Sequence, residues 1–524
     1  MKRRQFMKKG ALAVAAAGIL PACETDDGAG GDEKEQPKPI AKYEYTGDIG
    51  PKTLFSHGVA SGDPLHDRVI LWTRVTFAKP PTEAVEVFWE VAKDADFADR
   101  VAAGTTKTSA ERDWTVKVDA EGLQAGTRYH YRFWLQGRSS DIGRTLTTPT
   151  GPSEKLRFAV CSCARYSSGY YIGYGAIAAR DDIAAVLHLG DYIYESDGGG
   201  GFRPNDPPHA CATLQDYRLR YARQRTDGDL QVMHQRHPMI AVWDDHEVAN
   251  NGYKSGATQF GHDEKTHGPW EKRKAAGMQA WHEWMPVRDQ ADGRIWRAFS
   301  YGDLLDLVML DTRYWGRQRQ ETRDEKKKIN APARTLMGAD QETWLAEQVT
   351  TGKGRWVVVG QQVMCAPLKL GDLVLNPDQW DGYPASRKRM FDAFDSRKTK
   401  SAIVLAGDIH SSWANELVGD PKGYTAGSNK AHGVEFVAPG ITSSFPDSIP
   451  ESVVETGVKS NPHIRWFELG SKGFIVLELT EKRAQADWYF YKDIKKKETK
   501  PAFATALYVE HGKSALHKTD KKIG

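Results

Sequence analysis

The sequence contains few cysteines, and this scarcity excludes one class of extracellular protein. Only five occur among 524 residues, and four of them lie beyond the N-terminal segment, at Cys161, Cys163, Cys211 and Cys365. Small secreted scaffolds that depend on disulfides have many more cysteines at close spacing. Four cysteines allow two disulfides in an oxidising compartment, but Cys161 and Cys163 are too close in sequence to link separate parts of the chain. We therefore expect at least one cysteine to have another role.

Excess charge, internal repeats and phosphate-binding loops are also absent from the sequence. Lysine and arginine number 72 against 69 aspartates and glutamates, a net charge of +3, so we expect no nucleic-acid-binding stripe. There is no Gly-x-x-x-x-Gly-Lys loop and no signature of the serine-dependent alkaline phosphatases. Hydrophobic residues make up 40% and charged residues 27%, the composition of a globular protein. At 524 residues the chain is too long for one compact core, which predicts two or more domains.

No apolar run is long enough to span a bilayer comfortably, including the run at 11–20 near the N-terminus. That run follows Arg3, Arg4 and Phe6, and Cys23 comes shortly after it. A basic start before a short apolar run is typical of a signal peptide, and the paired arginines resemble a signal for the twin-arginine export machinery. We predict that residues 1–23 direct export to the periplasm or cell envelope, with Cys23 as a candidate lipid attachment site. Cleavage without lipidation and an uncut membrane anchor are the alternatives.

The next two segments differ sharply in pattern. Residues 24–45 are rich in Asp, Glu, Gly, Lys and Pro and are predicted to form a flexible linker. Residues 46–150 consist of short alternating runs, such as Val69–Val75, Ala84–Val91 and Tyr129–Trp134, separated by turn residues. This pattern predicts an all-β sandwich, and Leu123–Tyr131 resembles the corner of a fibronectin type III-like domain. We find no concentration of chemically active residues in this domain.

Apolar strands alternate with helical stretches through residues 151–524. The predicted buried strands are Leu156–Val160, Ala184–Leu189, Met239–Trp243, Leu304–Leu310, Trp356–Val359, Ala402–Ala406 and Phe474–Leu477. Helical stretches lie between them, for example Gln215–Arg223 and Asp340–Val349. Alternation of this kind predicts an α/β domain whose sheet is largely covered. We assign the whole segment to one catalytic domain.

Residues that bind metals or polarise phosphates directly follow five of these strands. They are Cys161-Ser162-Cys163, Gly190-Asp191-Tyr192-Ile193-Tyr194, Asp244-Asp245-His246-Glu247, Asp311-Thr312-Arg313 and Gly407-Asp408-Ile409-His410. Because ligands bind at the carboxyl ends of strands in open α/β sheets, we expect these clusters to converge on one rim. A single aspartate after a strand is most often a helix cap or turn residue. Four or more such strand ends in one domain favour a shared site.

The residue types at these strand ends suit two kinds of metal. Thiolate and phenolate are strong donors for ferric iron, whereas carboxylate and amide oxygens suit calcium, magnesium or manganese. Asp191 is a candidate to bridge two cations, and Tyr194 a candidate to supply a phenolate. Asp408 and His410 are separated by one residue, so on an extended segment they would face the same way. That arrangement would place an oxygen and an imidazole at one metal.

Two cysteines compete for the role of thiolate ligand. Cys163 follows Cys161 by two residues and would share its face on a strand. We prefer Cys163 because it is further along the strand and so nearer the rim. A buried or disulfide-bonded cysteine at this position is the alternative.

These motifs together resemble those of the metallophosphoesterases. Gly190-Asp191 with Tyr194 is similar to the metal-binding motif of that superfamily, which includes the purple acid phosphatases. Asp245–Glu247 occupies the place of its Asn-His-Glu element, and Gly407–His410 resembles its terminal Gly-His-x-His element. The order and spacing of the motifs, together with Ser56–Pro64 and the twin-arginine signal, are closer to the PhoD-like alkaline phosphatase family.

The resemblance implies a metallophosphoesterase-like core of layered β-sheets with flanking helices, preceded by the β-sandwich. It also implies a ferric ion and calcium as cofactors. Carried over position by position, the predicted metal ligands are Cys163, Asp191, Tyr194, Asp245, Asn251, Asp408 and His410. Asp245 stands where the superfamily has asparagine, so its role is inferred from position alone, and Asn250 is the alternative to Asn251.

The function that follows is hydrolysis of phosphate monoesters, diesters or both by metal-bound hydroxide. His246 is the candidate to protonate the leaving group or to orient the substrate. Arg165 and Arg313 are candidate phosphate clamps, and for each an ordinary ion pair is the alternative. Phospholipid-type diesters are a second substrate class, through a phospholipase D-like activity at the same site. The remaining alternatives are a surface-binding lipoprotein with an inactive domain and a hydrolase that uses Cys163 as its nucleophile.

Overall fold

The computed structural model describes residues 40–196, 201–371, 373–399, 401–445 and 451–524. The predicted signal segment with Cys23, and residues 24–39 of the predicted linker, lie outside the described residues. Among the helices of the described part of the chain, none combines the length and apolar character needed to cross a membrane.

The N-terminal part of the described chain is all-β, as the alternating runs predict. Its strands are β1 (Val59–Gly62), β2 (Arg68–Arg74), β3 (Val85–Ala92), β4 (Arg100–Thr108), β5 (Thr115–Glu121), β6 (Arg128–Leu135), β7 (Arg138–Ser139) and β8 (Gly143–Leu146). Strand β6 shows why: Tyr129, Tyr131 and Phe133 are buried and alternate with more exposed residues. These rings pack against Leu71 and Val118 in a core of their own.

The rest of the chain alternates strands and helices, which confirms the predicted α/β class. The strands are β9 (Lys155–Cys161), β10 (Ala185–His188), β11 (Met239–Ala241), β12 (Arg297–Tyr301), β13 (Leu305–Met309), β14 (Trp356–Gly360), β15 (Lys369–Leu370), β16 (Leu373–Val374), β17 (Ala402–Ala406), β18 (Ser412–Glu416), β19 (Val434–Val437), β20 (Ile464–Glu468), β21 (Lys472–Thr480), β22 (Arg483–Tyr491), β23 (Ala502–Glu510) and β24 (Leu516–Thr519). The α-helices of the described residues are α1 (Ile172–Ala178), α2 (Leu214–Gln224), α3 (Gly228–Arg236), α4 (Glu264–His267), α5 (Trp270–Trp284), α6 (Lys326–Ile329), α7 (Ala339–Thr351), α8 (Pro384–Asp395) and α9 (Glu451–Lys459).

Two large sheets form the centre of the catalytic part. One has the order β24-β23-β22-β21-β9-β10-β11-β1-β2-β5, and the other has the order β12-β13-β14-β17-β19-β18-β20. Strands β9, β10, β11 and β1 are parallel in the first sheet, and β13, β14, β17 and β19 are parallel in the second. The carboxyl ends of the parallel strands therefore lie along one edge of each sheet.

The apolar side chains of the second sheet divide between its two faces. On β14, Val358 packs in the core that also contains Phe158 of β9. Its neighbours Val357 and Val359 pack instead in the core that contains Leu345 of α7. Because successive residues of a strand point to opposite faces, one face meets the first sheet and the other meets helices. The result is the layered β-sheet core with flanking helices that the sequence predicts.

The N-terminal β-region shares a sheet with the catalytic part, which the sequence analysis did not foresee. Strand β1 pairs in parallel with β11, with Gly62 opposite Met239, so β1, β2 and β5 extend the first large sheet. Strands β4-β3-β6-β7, with β8 beside β6, form the separate five-stranded layer. A Cβ atom at Gly62 would lie 2.1 Å from the Pro286 carbonyl oxygen and 2.5 Å from that of Met239. Only glycine therefore permits this close approach. The domain limits predicted at residues 46 and 150 stay predictions.

A buried ion pair fastens the end of β1 to the second sheet. Asp63 follows β1 and accepts two hydrogen bonds from Arg297 of β12, at 2.8 Å from Nε and 2.6 Å from Nη2. Neither side chain is more than 9% exposed. The same Nη2 group also donates to the carbonyl of Ala241 at the end of β11. Paired carboxylate and guanidinium groups of this geometry satisfy each other away from water.

Replacing Asp63 with alanine should lower the free energy of unfolding by about 3–5 kcal/mol, because Arg297 would remain buried without its carboxylate. Denaturant unfolding followed by far-UV circular dichroism measures the change. The matched control is Asp392→Ala, which breaks the pair of Asp392 with Lys388 on α8, where the side chains are 58% and 74% exposed. Exposed pairs contribute little, so equal losses in the two variants would contradict the role of the buried pair.

Candidate metal centre

The predicted strand-end residues meet at one rim, to which both large sheets contribute. Strands β10, β11 and β17 end at His188, Ala241 and Ala406. The predicted site residues that line a cavity of about 540 Å³ at this rim are Asp191, Asp245, His246, Asn251, Asp408 and His410. The structure thus brings these side chains together as the strand-end rule predicts, while their individual roles stay predictions.

Contacts between the two sheets hold the rim together. Ser162, just after β9, forms a parallel bridge with Gly440, which follows β19. The side-chain amide of Gln362 donates to the Trp243 carbonyl at 2.6 Å and to the Leu310 carbonyl at 2.9 Å. Trp243 follows the first sheet and Leu310 the second, so one buried amide joins loops from both. The site is therefore built on the seam between the sheets rather than on one of them.

Five of the seven predicted ligands have a left-handed backbone conformation. They are Cys163 (φ 59°), Asp191 (φ 53°), Asn251 (φ 53°), Asp408 (φ 63°) and His410 (φ 57°). Residues other than glycine seldom adopt positive φ, and each instance costs of order 1–3 kcal/mol. Such residues cluster at functional sites because the surrounding fold holds the chain in a sharp turn. Here the turns aim side chains from several strand ends at a common point.

The loop after β10 lies tightly against the loop after β11. Gly190 has a φ of 108°, and a Cβ atom there would lie 2.4 Å from the Cβ of Asp244, which only glycine avoids. The Glu247 carboxylate accepts backbone N–H bonds from Asp191 at 3.1 Å, Tyr192 at 2.6 Å and Asp244 at 2.7 Å. Glu247 therefore orders both loops without lining the cavity.

The expectation that Asp408 and His410 lie on an extended segment is wrong. Strand β17 ends at Ala406, and both residues have positive φ in the turn that follows. The amide of Ile409 donates to the carbonyl of Gly407 at 2.7 Å, which closes a tight turn. Both side chains nevertheless line the cavity. They do so from a tight turn that contains two left-handed residues, and not from a strand.

Tyr194 is at the centre of the first group of candidate ligands. Its hydroxyl donates to Asp191 Oδ2 at 2.8 Å and lies 2.9 Å from His410 Nε2. His410 Nδ1 donates to the Ser444 carbonyl at 3.0 Å, so its Nε2 carries a lone pair. The single hydroxyl proton of Tyr194 cannot serve both Asp191 and His410. Two lone-pair atoms, Asp191 Oδ2 and His410 Nε2, thus face one phenol oxygen. Such a cluster fits a bound cation better than a hydrogen-bond network.

The structure separates the two competing cysteines. The Sγ atom of Cys163 lies with ligand atoms of Asp191 and His410 in a group that spans no more than 4.8 Å. Cys161 is buried in the main core, where its Sγ is 3.9 Å from the carbonyl oxygen of Leu187. All four cysteines of the described residues are free thiols, so the disulfide-bonded alternative for Cys163 does not hold. Of the two cysteines, Cys163 is the one whose sulfur lies with candidate ligand atoms.

Arg313 is fully buried among four carboxylates, which form the second group. Its guanidinium contacts Asp244, lies 2.8 Å from Asp378 and 2.6 Å from Asp408, and is 3.8 Å from Asp245. The side chain is 0% exposed. Its donors are therefore directed at protein carboxylates, and the structure supports the ion-pair alternative to a phosphate clamp. The clamp role of Arg313 itself stays an untested prediction.

Two buried arginines do not neutralise this group of acids, because Arg317 pairs with Asp378 alone among them. Burial raises the pKa of Asp408 to about 7, and the nearby carboxylates of Asp378, Asp245 and Asp191 add to the effect although Arg313 opposes it. Burial also raises the pKa of Asp244 well above its usual value, and Asp244 Oδ2 is buried without a hydrogen-bond partner. An orphaned carboxylate oxygen in a crowded acidic group is a position that a cation would satisfy.

His246 is held in the cavity by a carboxylate that the sequence analysis did not single out. Its Nδ1 donates to Glu195 Oε2 at 2.6 Å, and its ring lies 4.2 Å from the ring of Tyr194. Glu195 also accepts the backbone N–H of Asn250 at 2.8 Å. This pairing fixes the ring and leaves its other nitrogen for the cavity or the substrate.

The remaining predicted residues have different positions. Asn251 lines the cavity, and its backbone N–H donates to Asp245 Oδ2. Asn250 lines it as well, so the structure does not choose between the two asparagines. Arg165 lies outside the cavity, with its guanidinium carbon 4.7 Å from the centre of the Tyr194 ring. The structure therefore places Arg165 beside a candidate ligand, and its predicted clamp role stays a prediction.

Several residues of the site were missed because no local motif marks them. Asp378 lies in a loop before α8 and reaches Arg313 across 65 residues of sequence. Glu195 directly follows Tyr194, and nothing else in the sequence marks it. The Ser443 hydroxyl donates to the Cys163 carbonyl at 2.8 Å and lies 2.7 Å from the Tyr194 hydroxyl oxygen. It follows β19, so extending the strand-end rule to that strand would have found it.

We expect Cys163→Ser to lower the metal content of the purified protein, because a serine hydroxyl stays protonated and is a weaker metal ligand than a thiolate. Cys161→Ser is the matched control, since its sulfur faces the core two residues away. Elemental analysis by mass spectrometry gives the metal-to-protein ratio for each variant. Loss of metal from Cys161→Ser with retention in Cys163→Ser would reverse the assignment.

Comparison with known proteins identifies the family of this chain. Residues 158–488 match the PhoD-like phosphatase family, and residues 47–149 match the N-terminal domain of PhoD-like phosphatases. The chain is 36% identical over 459 residues to alkaline phosphatase D of Bacillus subtilis (strain 168), an alignment that covers 83% of this chain and 77% of that protein. A solved structure described as PhoD matches with a TM-score of 0.82 and 32% identity, covering 91% of this chain and 94% of that one. The chain therefore belongs to the PhoD-like phosphatase family.

Proposed function

We propose that this protein is a metal-dependent phosphoesterase that hydrolyses phosphate monoesters, diesters or both. The observation that carries the proposal is a cavity lined by imidazoles and several carboxylates. The Cys163 thiol and the Tyr194 phenol lie against two of these lining residues, Asp191 and His410. Membership of a phosphatase family supports the reaction class. A reaction of this kind needs a site that neutralises the transferring phosphoryl group and positions the attacking water. The crowded acids fit that need because they can hold cations against the phosphate oxygens.

We infer that the two groups of ligands hold different metals. The Cys163, Tyr194 and His410 side chains, with Asp191, suit ferric iron because it favours thiolate and phenolate donors. Asp245 and Asp408, with an asparagine amide, suit calcium, which favours oxygen ligands. Bound cations would supply charge neutralisation and a lowered pKa for water. Asp191 belongs to groups on both sides and is the candidate bridge.

The chain's own groups divide the remaining work. Glu195 fixes His246 through Nδ1, so the ring can present its other nitrogen to the leaving-group oxygen and donate a proton there. Arg313 holds Asp244, Asp378 and Asp408 in place, which makes it a positioning residue for the acids. Precise placement matters because small displacements of reacting groups lower rates strongly.

One feature of the cavity favours a diester with an apolar arm as a second candidate substrate. The apolar side chains that line the cavity are Leu368, Leu375, Ile409, Trp413, Phe445 and Val454. An apolar wall beside a polar reaction centre is the usual design of a site that binds an amphipathic ligand. This wall supports a phospholipase D-like activity on phospholipid-type diesters. The reaction chemistry would be the same for both substrate classes.

We also propose that the protein acts outside the cytoplasm. The support comes from the sequence alone: Arg3 and Arg4 before the apolar run at 11–20 resemble a twin-arginine signal. Cys23 is the candidate for lipid attachment. Export by this route would deliver a folded protein with its metals already bound.

Purified protein should hydrolyse 4-nitrophenyl phosphate, bis(4-nitrophenyl) phosphate or both, and prior chelation should remove the activity. Calcium is expected to restore part of the activity, because it would bind again to the group of carboxylates. Release of 4-nitrophenol measures each rate, and a short-chain phospholipid tests the second substrate class. If protein shown to contain metal turns over none of these esters, the surface-binding lipoprotein becomes the better account.

Asp191→Asn and Asp408→Asn should each reduce kcat by at least about 100-fold, because each removes charge from a metal ligand. Asp420→Asn is the matched control, since Asp420 is exposed on a distant loop. Initial rates on the preferred aryl ester, with metal content measured alongside, separate lost chemistry from lost metal. Full activity in either site variant would refute the metal mechanism. Inactivation by alkylating Cys163 without any effect of chelation would instead favour the cysteine-nucleophile alternative.

A further inference from the structure

A second concave surface lies beside the metal centre and shares no lining residue with its cavity. This groove has a volume of about 780 Å³. The charged side chains that line it are Arg165, Lys472, Lys492, Asp493 and Lys495. Phe202, Tyr491 and Ile494 line it as well, and serine and glycine residues complete the lining. Nothing in the proposed reaction at the metals uses this groove.

The groove is built from ordered elements rather than from loose surface. Lys472 begins β21, and it pairs with Tyr491, the last residue of β22 and the neighbour of Lys492. The amide of Tyr170 donates to the Ile494 carbonyl at 2.7 Å, which fastens the loop after β22 to the loop after β9. The cationic side chains are therefore presented from strand ends and a fixed turn.

The charge in the groove is strongly one-sided. Four of its lining side chains are cationic, and Asp493 is the one carboxylate among its described lining residues. That carboxylate is turned away in part, because Asp493 Oδ1 accepts the backbone N–H of Lys495 at 2.8 Å and Oδ2 lies 3.6 Å from Lys496. Lys496 does not line the groove. The remaining positive charge is a field suited to an anion with several oxygens.

The groove adjoins the metal centre through two residues. Arg165 lines the groove and covers the ring of Tyr194 at 4.7 Å, and its Nε is buried without a hydrogen-bond partner. Ser444 also lines the groove, and its carbonyl accepts the proton of His410 Nδ1 at 3.0 Å. Groups bound in the groove would thus contact two residues, Arg165 and Ser444, that themselves contact candidate metal ligands. The reacting phosphate itself belongs in the cavity with the acids.

We propose that the groove binds a second phosphate group carried by the substrate. The proposal rests on the phosphoesterase function proposed above. A phosphate dianion accepts several charge-assisted hydrogen bonds at once, which Arg165, Lys492 and Lys495 with neighbouring serine hydroxyls can donate. Substrates with two phosphates should therefore be preferred over otherwise identical substrates with one.

The test compares glucose 6-phosphate with glucose 1,6-bisphosphate, which differ by one phosphate. Each is used as a competitor of the aryl ester that the metal-loaded enzyme hydrolyses. The inhibition constant should be at least about tenfold lower for the bisphosphate. In Lys492→Ala/Lys495→Ala that advantage should shrink to about twofold or less. Raising the ionic strength should reduce the advantage in the parent enzyme, because salt screens exposed charges.

The matched control is Lys482→Ala/Lys513→Ala, which removes the same charge. Lys482 lies in the turn between β21 and β22, at the opposite end from Lys472 and Lys492, and both control lysines are exposed. The control should keep the full preference for the bisphosphate. Equal inhibition constants for the two sugars in the parent, or equal losses of preference in both double variants, would overturn the proposal.

Failure of the proposed function would be recognised separately, as an absence of turnover with every ester. Calorimetric titration of metal-loaded protein with glucose 1,6-bisphosphate then decides the groove on its own. If the parent binds the bisphosphate and Lys492→Ala/Lys495→Ala binds it at least about tenfold more weakly, the groove is supported as an anion site. Absence of binding, or equal binding in the two proteins, would reject it.

Discussion

The buried guanidinium of Arg313 makes this site physically possible. Four carboxylates, those of Asp244, Asp245, Asp378 and Asp408, surround it within 4 Å. Without an internal cation, so many acids could not be kept this close together away from water. The arginine follows β13, and its partners follow β11 and β17 or precede α8, so it also fixes four separate loops. The site thus has a permanent positive charge that orders the acids. It does not satisfy Asp244 Oδ2, which stays without a hydrogen-bond partner and is available to a further cation.

The architecture follows from the need to bring such loops to one point. A single sheet offers its strand ends along a line, whereas two sheets meeting at a seam offer them from two sides. The bridge between Ser162 and Gly440 and the amide of Gln362 close that seam. The ligands then reach inward through left-handed residues whose backbone strain the packed sheets must support. The Asp63–Arg297 pair joins the same two sheets elsewhere, between the end of β1 and strand β12.

The apolar pattern of the sequence was sufficient to predict many of the strands. It could not predict contacts between segments that are distant in sequence. Strand β2 at Arg68–Arg74 and strand β17 at Ala402–Ala406 coincide closely with runs read from the sequence, because burial imposes an apolar pattern. Asp408 and His410 were found because they directly follow the apolar run of β17. The pairing of β1 with β11 could not be read, since a four-residue strand carries no partner signal. Asp378 was equally invisible, because its partner Arg313 is 65 residues away.

The surroundings of the metal centre constrain the substrate more than the metals do. An apolar wall that includes Ile409 and Trp413 lies in the cavity with the acids, while the cationic groove lies behind Tyr194 and His410. A phosphate at the metals would therefore have different neighbours in two directions. We expect an apolar arm of the substrate to gain by entering the cavity, since it removes apolar surface from water. We expect a charged arm to gain in the groove, where lysines replace part of its hydration. On these proposals, substrate choice should depend on how the two arms of an ester differ in polarity.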